Sequence, residues 1–380
     1  MSGLFIRTGR VGGAEYMLYN LLEGLAQHPE AWGTTLFVQS VGELDPVFQR
    51  RLESLRDRLG LSLVEVQGRG NRFVKESINV PLAAYRRGLA SMLFANYYTP
   101  PKLPSVRTAT IIHDIQYRHL PDNFSRRKRL WLNFAHRLTL RSADYVIAIS
   151  EFVRDDVLNA YGATYESKLC VIPNPIAWGR FEASSEPRAS PLHDRTSTYI
   201  LTVASHYPHK NLATLIRAFA SLRHRIPHNL VLAGQLRGNL QGIKRGAADD
   251  IAGLIAELHL GDRIAILGHV PDDVLGSLYR GADLFVLPSM FEGFGMPTVE
   301  ALGMGVPTLT TRCAALPETT LGKATYVSDP LDVEEFACRM LEIIEKRDLF
   351  LPTEDDVRDI RAYYAPARIA SEYMRVLGMA

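Results

Sequence analysis

The sequence predicts an α/β protein made of two doubly wound domains with parallel sheets. Three observations predict it. The length of 380 residues suits about two domains, since single domains run roughly 100–200 residues. Short apolar runs of strand length alternate with stretches of helical period, which implies βαβ units with both sheet faces covered. This alternation occurs twice, with a stretch rich in Ser, Pro, Arg and Asp between the two series.

In the first series, Leu4, Phe5 and Ile6 are the only strand-like residues before Gly9, so a first strand is very short or missing. Gly12-Gly13 then precedes a helical stripe over Glu15 to Ala26, with Met17, Leu18, Leu21, Leu22 and Leu25 on one face. Thr35 to Val38, Leu61 to Val66, Ala109 to Ile112, Tyr145 to Ile149 and Leu169 to Ile172 read as strands, and Arg127 to Arg141 as a helix. Glu182 to Ser197 reads as a linker or exposed loop. In the second series the strands are Tyr199 to Ala204, Asn229 to Ala233, Arg263 to Leu267, Leu284 to Leu287, Thr308 with Leu309, and Ala324 to Val327. Leu212 to Leu222, Asp250 to Leu258 and Val333 to Glu345 are helices between them, and Arg361 to Leu377 is a last amphipathic helix.

Composition is ordinary for a globular protein, at 47% hydrophobic and 22% charged. No run approaches the ~18 apolar residues of a membrane span, and Ser2 to Ala14 has no apolar core of a signal peptide. Cys170, Cys313 and Cys338 are too widely spaced for a disulfide framework or a metal knuckle, which points to a reducing cytoplasm. Charge is uneven: residues 1–190 carry 24 Lys and Arg against 18 Asp and Glu, giving +6, and residues 191–380 carry 19 against 23, giving −4. The run Arg126-Arg127-Lys128-Arg129, followed by Arg137 and Arg141, is either a solvated helix face or a contact for anionic lipid at the inner face of the membrane.

The densest chemistry lies in Pro288-Ser289-Met290-Phe291-Glu292-Gly293-Phe294-Gly295-Met296-Pro297-Thr298-Val299-Glu300. Two carboxylates stand eight positions apart around Gly-Phe-Gly, after an apolar strand and before a helix that Pro297 opens. Mobile backbone at a helix N-terminus offers amides to a phosphate, and carboxylates accept from sugar or ribose hydroxyls. Taken alone, the loop is equally a well-capped turn, since Pro297 and Glu300 both suit a first helical turn. Gly12-Gly13-Ala14-Glu15 offers positive φ and close approach before a helix. His113-Asp114 ends the strand Ala109 to Ile112, where a lone His is commonly a structural hydrogen-bonding group. Lys210 lies in Ala204-Ser205-His206-Tyr207-Pro208-His209-Lys210-Asn211-Leu212, between a strand and a helix. Lysine is a compact cation suited to a diphosphate, although an exposed loop lysine is the ordinary outcome. No Gly-x-Ser-x-Gly elbow, Cys-x2-Cys pair or His-Glu-x2-His helix is present, and the Asp doublets fit helix capping.

These segments together resemble the retaining GT-B glycosyltransferases with the E-x7-E motif, a large family that includes many bacterial mannosyltransferases. Glu292, Glu300, Gly293 to Gly295, Pro297 and the continuation Ala301 to Pro307 fit that motif. Gly12-Gly13-x-Glu15 resembles the family loop that faces the donor diphosphate across the cleft, and His113 its active-site histidine. Lys210 resembles the phosphate lysine, which is followed by Gly or Asn. Where relatives carry Arg, five positions before that lysine or directly before it, this chain has Ser205 and His209. Val171-Ile172-Pro173-Asn174-Pro175-Ile176 resembles the hinge entry, with Pro175 for the usual Gly and Ala177 for a common Asp. Ser150-Glu151-Phe152 also fits a family pattern, and equally a helix N-cap.

The resemblance implies a GT-B fold of two Rossmann-like domains facing each other across a cleft. Residues 1–176 form the acceptor side, 177–197 a linker, 198–360 the nucleotide-sugar domain, and 361–380 a helix packing back toward the first domain. It implies a hexosyltransferase without cofactor or metal. Glu292 binds hydroxyls of the transferred sugar and Glu300 the ribose. Lys210 and the amides of Gly293, Phe294, Gly295 and Met296 meet the leaving diphosphate, His113 orients the sugar, and Ser205, His209, Gly12 and Gly13 line the donor. The partners implied are a nucleotide-diphosphate sugar and a glycan or lipid-linked acceptor, not nucleic acid. GDP-mannose is the first donor expected, with a UDP-hexose or dTDP-rhamnose as the alternative. A GT-B-fold epimerase and a non-catalytic binding module stay open as other classes. Residues 67–105, with Gly68, Arg69, Gly70, Tyr97 and Tyr98, are expected to form acceptor surface.

Overall fold

The computed structural model describes residues 1–6, 12–42, 44, 46–68, 70–101, 105–182, 198–234 and 250–379. They fall into two compact units. One comprises Met1–His119, Arg126–Ala177 and Tyr364–Ala380, the other Leu120–Ser125 and Trp178–Tyr363. Most of the expected linker, and Gly9 and Arg69, lie outside the described residues.

In the first unit, β1 (Thr35–Val38) pairs in parallel with β2 (Ser62–Glu65). β3 (Ser91–Phe94), β4 (Arg107–Ile112), β5 (Tyr145–Ala148) and β6 (Leu169–Val171) form a parallel sheet in that order. Ser2 bridges Phe37 of β1 and Phe94 of β3 in parallel, so the N-terminal segment occupies the strand position between them. The pairing residues are Met1 to Gly3, not Leu4 to Ile6. Phe37 N–H donates to Met1 O (2.9 Å), Ser2 N–H to Leu93 O (2.8 Å), and Gly3 N–H to Phe37 O (2.8 Å). Leu4 instead turns its wholly buried side chain into a core with Phe37, Val80, Met92 and Phe94. β3 is not among the strands read from the sequence, although its run Met92-Leu93-Phe94 follows the same apolar pattern as β10.

The helix Gly13–Leu25 packs on the helix Pro366–Leu377 of the same unit. Gly24 makes the approach: a Cβ there would lie 2.2 Å from Pro366 O. The expected helix from Arg361 is in fact two. One ends at Tyr363, Ala365 is extended, and the other begins at Pro366, whose ring fits a first turn and cannot continue a helix.

The second unit holds β7 (Tyr199–Val203), β8 (Asn229–Ala233), β9 (Ile264–Gly268), β10 (Leu284–Leu287), β11 (Thr308–Thr311) and β12 (Thr325–Val327). All pair in parallel, in the order β12-β11-β10-β7-β8-β9. β10 is buried throughout, as expected of a central parallel strand covered on both faces. The chain runs outward one way from β7 and the other way from β10, so the sheet has its topological switch between these neighbours.

Gly24→Ala is expected to lower unfolding stability by about 1–3 kcal/mol through overpacking. Urea unfolding with a midpoint unchanged from wild type would contradict the close helix approach.

Candidate functional site

At a topological switch the connections from two adjacent strands leave in opposite directions, opening a crevice at the carboxyl ends. Lys210 follows β7 and Glu292 follows β10, so the switch brings them together from 82 residues apart.

After β7 the chain makes a tight turn over Pro208–Lys210 and stops at Asn211, whose φ is 54°. Left-handed backbone suits Gly and Asn best, which explains why either residue serves after such a lysine. Asn211 also uses its amide. Its Nδ2 donates to Pro288 O (3.1 Å) and Pro330 O (2.6 Å), and its Oδ1 accepts from Thr214 Oγ1 (2.8 Å). Met290 N–H donates to His209 O (2.7 Å), a second tie between the two loops.

The loop after β10 is therefore not mobile backbone. Thr311 Oγ1 donates to Ser289 O (2.7 Å), Ala315 N–H to Glu292 O (3.2 Å), and Thr319 Oγ1 to Phe294 O (2.6 Å). Phe291 and Phe294 are buried beneath it. Glycine serves shape here rather than motion: Gly295 has φ 76°, and a Cβ there would lie 2.5 Å from Leu316 Cδ2. Met296 begins the following helix, Met296–Gly303, with Pro297 at its second position rather than its first.

Within this frame Glu292 accepts from Lys210 Nζ (2.6 Å) and Ser289 Oγ (2.6 Å), both at Oε1. The Lys210 and Glu292 side chains are nearly buried, at 16% and 10% exposure. Burial disfavours the Glu292 carboxylate, but the Lys210 charge and the hydrogen bonds from Lys210 and Ser289 outweigh it and hold the group below its usual range. Desolvation, and then the Lys210 charge, push His209 down to about 3. The His209 imidazole is thus neutral at neutral pH and adds no second cation beside Lys210, although Tyr207 stacks on it (5.7 Å between centroids). Ser205 is half-buried in the same loop.

Glu300 is 3% exposed and sits one turn into the Met296–Gly303 helix. Arg180 donates to its Oε1, and Tyr279 Oη donates to its Oε2 (2.8 Å). Burial still dominates and raises its pKa, with Arg180 and Tyr279 offsetting only part of the effect. The two glutamates of the motif therefore shift in opposite directions.

The remaining expected site residues lie in the first unit. His113 caps the end of β4, half-buried, with Nε2 3.3 Å from Ala95 O, and burial lowers its pKa. Asp114 Oδ1 accepts from Gln116 N–H (3.0 Å), a local turn. Gly12 precedes the first helix with φ −134°, and Gly13 likewise lacks positive φ. Neither glycine is thus required for a left-handed turn; what they leave is open space, since a Cβ on either meets no atom within 4 Å. Ser150 Oγ accepts from Val153 N–H (3.2 Å) as a helix N-cap. Tyr98, expected on an acceptor surface, is core: it is 3% exposed and bonded to Ser77 Oγ (2.7 Å).

Arg180, Tyr279 and Ser289 escaped the sequence reading. Ser289 lies inside the motif, three residues before Glu292. Arg180 and Tyr279 reach Glu300 from distant segments, and no local pattern marks them. Among the described residues, no group of three or more His, Cys, Asp or Glu is placed to hold a metal ion. None of the described helices is long and apolar enough to cross a membrane.

Two family models match the chain in succession. The one described as Glycosyltransferase Family 4 matches residues 11–177, and the one described as Glycosyl transferases group 1 matches residues 184–359. The chain belongs to the group 1 glycosyltransferases. Its two parallel-sheet units are those of the GT-B fold. Sucrose-phosphate synthase from Thermosynechococcus elongatus matches 99% of the chain and 96% of its own at TM-score 0.73 and 18% identity. Anabaena HepE in complex with UDP-glucose matches at TM-score 0.73 and 16% identity, covering 98% of each chain. Among sequence relatives, the O-antigen chain mannosyltransferase B of Escherichia coli is 28% identical over 257 residues, 66% of this chain. The match spans 64% of that relative's length, and 58% and 53% of two others'.

In this group 1 glycosyltransferase, the Lys210–Glu292 pair is the site's most testable element. The lowered Glu292 pKa means that its ionised form contributes stability above the unfolded pKa, lost as pH falls through the folded value. Lys210→Met strands a buried carboxylate, with an expected cost of about 3 kcal/mol at pH 7. It also moves the Glu292 pKa upward, so that the variant loses less stability than wild type on acidification. Urea unfolding at pH 7 and pH 4 reads both effects; equal losses in the two proteins would contradict the pairing.

Proposed function

We propose that this chain is a retaining hexosyltransferase. It moves mannose from GDP-mannose to a hydroxyl of a glycan or lipid-linked acceptor during surface polysaccharide synthesis. The observation that carries the reading is the meeting of Lys210 and Glu292 at the sheet's switch point, 2.6 Å apart. A cation for a leaving diphosphate and an acceptor for sugar hydroxyls stand side by side there. The mannosyltransferase relative supports the choice of sugar.

In this reading Glu292 accepts from hydroxyls of the transferred sugar, and Glu300 from the ribose. The bond between the anomeric carbon and the phosphate oxygen breaks. A bond to the acceptor oxygen forms on the same face, and the acceptor's proton passes to the leaving phosphate. Lys210 and the amides leading into the Met296–Gly303 helix stabilise the charge that develops on the diphosphate. His113 is assigned to orient the sugar, with Ser205, His209, Gly12 and Gly13 as donor contacts. No cofactor or metal is assigned. A UDP-hexose is the second reading, favoured by the UDP-glucose bound to the similarly folded HepE.

Labelled GDP-mannose, UDP-glucose and dTDP-rhamnose, scored for transfer or slow hydrolysis, test the donor; turnover of a UDP-sugar alone would replace mannose. A product whose anomeric configuration is inverted by NMR would overturn retention. Glu292→Gln is expected to lower kcat by about 100-fold or more with the fold intact by circular dichroism. Full activity in that variant would remove Glu292 from the mechanism.

We also assign to the helix Arg126–Ser142 a peripheral contact with anionic membrane on the cytoplasmic side. The basic run does not act as one block. Arg126 and Arg127 are exposed, Lys128 lies over the Tyr97 ring (5.8 Å), and Arg129 is half-buried. Leu130 and Phe134, at 72% and 52% exposure, share the outer face with Arg127, Arg137 and Arg141, an amphipathic pattern suited to an interface. Reversing Arg126 and Arg127 to Glu is expected to weaken binding to phosphatidylserine vesicles by at least about tenfold, at about 1 kcal/mol per basic residue. Equal sedimentation of both proteins with the vesicles would contradict the contact.

A further inference from the structure

The turn Trp178–Phe181 opens the second unit and is fitted tightly to it. A Cβ on Gly276 would lie 2.3 Å from Phe181 O, and one on Gly303 2.2 Å from the Trp178 ring. Trp178 Nε1 donates to Arg361 O (3.1 Å), and Arg280 donates to Phe181 O (2.9 Å). A turn held this closely has one task that its packing does not explain: it delivers the Arg180 guanidinium, 5% exposed, to Glu300.

Glu300 is bound on both oxygens. Arg180 donates to Oε1 and Tyr279 Oη to Oε2, while Arg180 Nη1 lies 3.9 Å from Asp272 Oδ2, itself buried. A carboxylate offers about four acceptor positions. Two donors leave it a second position on each oxygen, enough for the two hydroxyls of a ribose. Fixing both oxygens also fixes the plane of the carboxylate.

We propose that Arg180 is a positioning residue for nucleotide recognition: with Tyr279 it aims Glu300 as a fixed anion at the ribose diol. The proposal rests on the assignment of Glu300 to the ribose made above. The charged and titratable groups facing Glu300 are Arg180 on the turn, and Asp272 and Tyr279 on the helix Asp272–Gly281. Burial raises the Glu300 pKa, Asp272 adds to that, and Arg180 is the main opposing charge. Removing the Arg180 charge therefore moves Glu300 titration further up the pH scale.

The test measures binding of GDP and UDP, and of their 2′,3′-dideoxy analogues, by calorimetry from about pH 5.5 to 8.5. It uses the full chain as wild type, Arg180→Gln, Arg180→Lys and Tyr279→Phe. Wild type is expected to prefer the ribonucleotide by about tenfold or more. In Arg180→Gln that preference collapses near pH 6 and returns as pH rises, because the carboxylate ionises later. Arg180→Lys keeps the wild-type pH midpoint with a smaller preference, since the charge remains and the fork is lost. Tyr279→Phe lowers the preference and moves the midpoint up by less than Arg180→Gln does, since the Tyr279 hydrogen bond also holds the Glu300 pKa down and the Arg180 charge does so more.

If wild type does not discriminate ribose from dideoxyribose, the assignment of Glu300 fails and the proposal with it. If wild type discriminates and the Arg180 variants do so equally, with an unmoved pH midpoint, the proposal alone is overturned. Should Arg180→Gln fail to fold, Arg180→Lys and Tyr279→Phe carry the same decision: wild-type preference in both overturns it. A purely structural role would weaken both nucleotide forms equally at every pH.

Discussion

Two hydrogen bonds tie the loop after β7 to the loop after β10, Asn211 Nδ2 on Pro288 O and Met290 N–H on His209 O. The crevice at a switch point exists because neighbouring strands send their connections opposite ways, and nothing in that topology keeps the two loops in register. Asn211 supplies the register. It occupies a left-handed conformation next to Lys210, and its amide reaches across to the other loop and on to Pro330. The distance between Lys210 and Glu292 is thereby a property of the backbone rather than of two long side chains seeking each other.

This rigidity bears on electrostatics. A buried ion pair is worth little, or costs stability, unless its geometry is held and its remaining hydrogen bonds are met. Ser289 meets one for Glu292, and the side chains of Thr311 and Thr319 hold the surrounding carbonyls. Glu300, eight residues on, is equally buried but faces Asp272 as well as Arg180, and its pKa moves up where that of Glu292 moves down. One motif thus presents two carboxylates in different electrostatic settings, and such divergence is how like residues come to hold unlike roles.

The architecture was legible because parallel strands covered on both faces read as unbroken apolar runs: Leu284 to Leu287 and Asn229 to Ala233 appear in the structure with the boundaries the pattern implies. Legibility failed where pairing depends on partners far away. Met1 to Gly3 carry no strand signal, yet β1 and β3 leave a position that they fill. Ser91–Phe94 went unread despite its apolar run, and the last helix broke at Ala365 where periodicity ran on. At the site, Lys210 and Glu292 stood out through the resemblance of their segments to the family's motifs; by residue type alone they read equally as a loop lysine and part of a capped turn. The contact of Arg180 with Glu300 spans 120 residues and depends on glycines at 276 and 303, whose small size has meaning only once the turn is in place.

The replacements around Lys210 bear on how the diphosphate is neutralised. An arginine in the position of Ser205 or His209 would bring a fixed charge and a planar fork. Serine brings neither, and desolvation leaves His209 neutral. That neutrality has a benefit in this loop. A second fixed cation would compete with Lys210 for Glu292, whereas a neutral imidazole can donate one N–H without drawing the carboxylate away from Lys210. Charge compensation in the reading offered above therefore rests on Lys210 together with oriented amides. Those amides belong to a loop that Thr311, Thr319 and Ala315 already hold in place, so they need little reorganisation when charge develops.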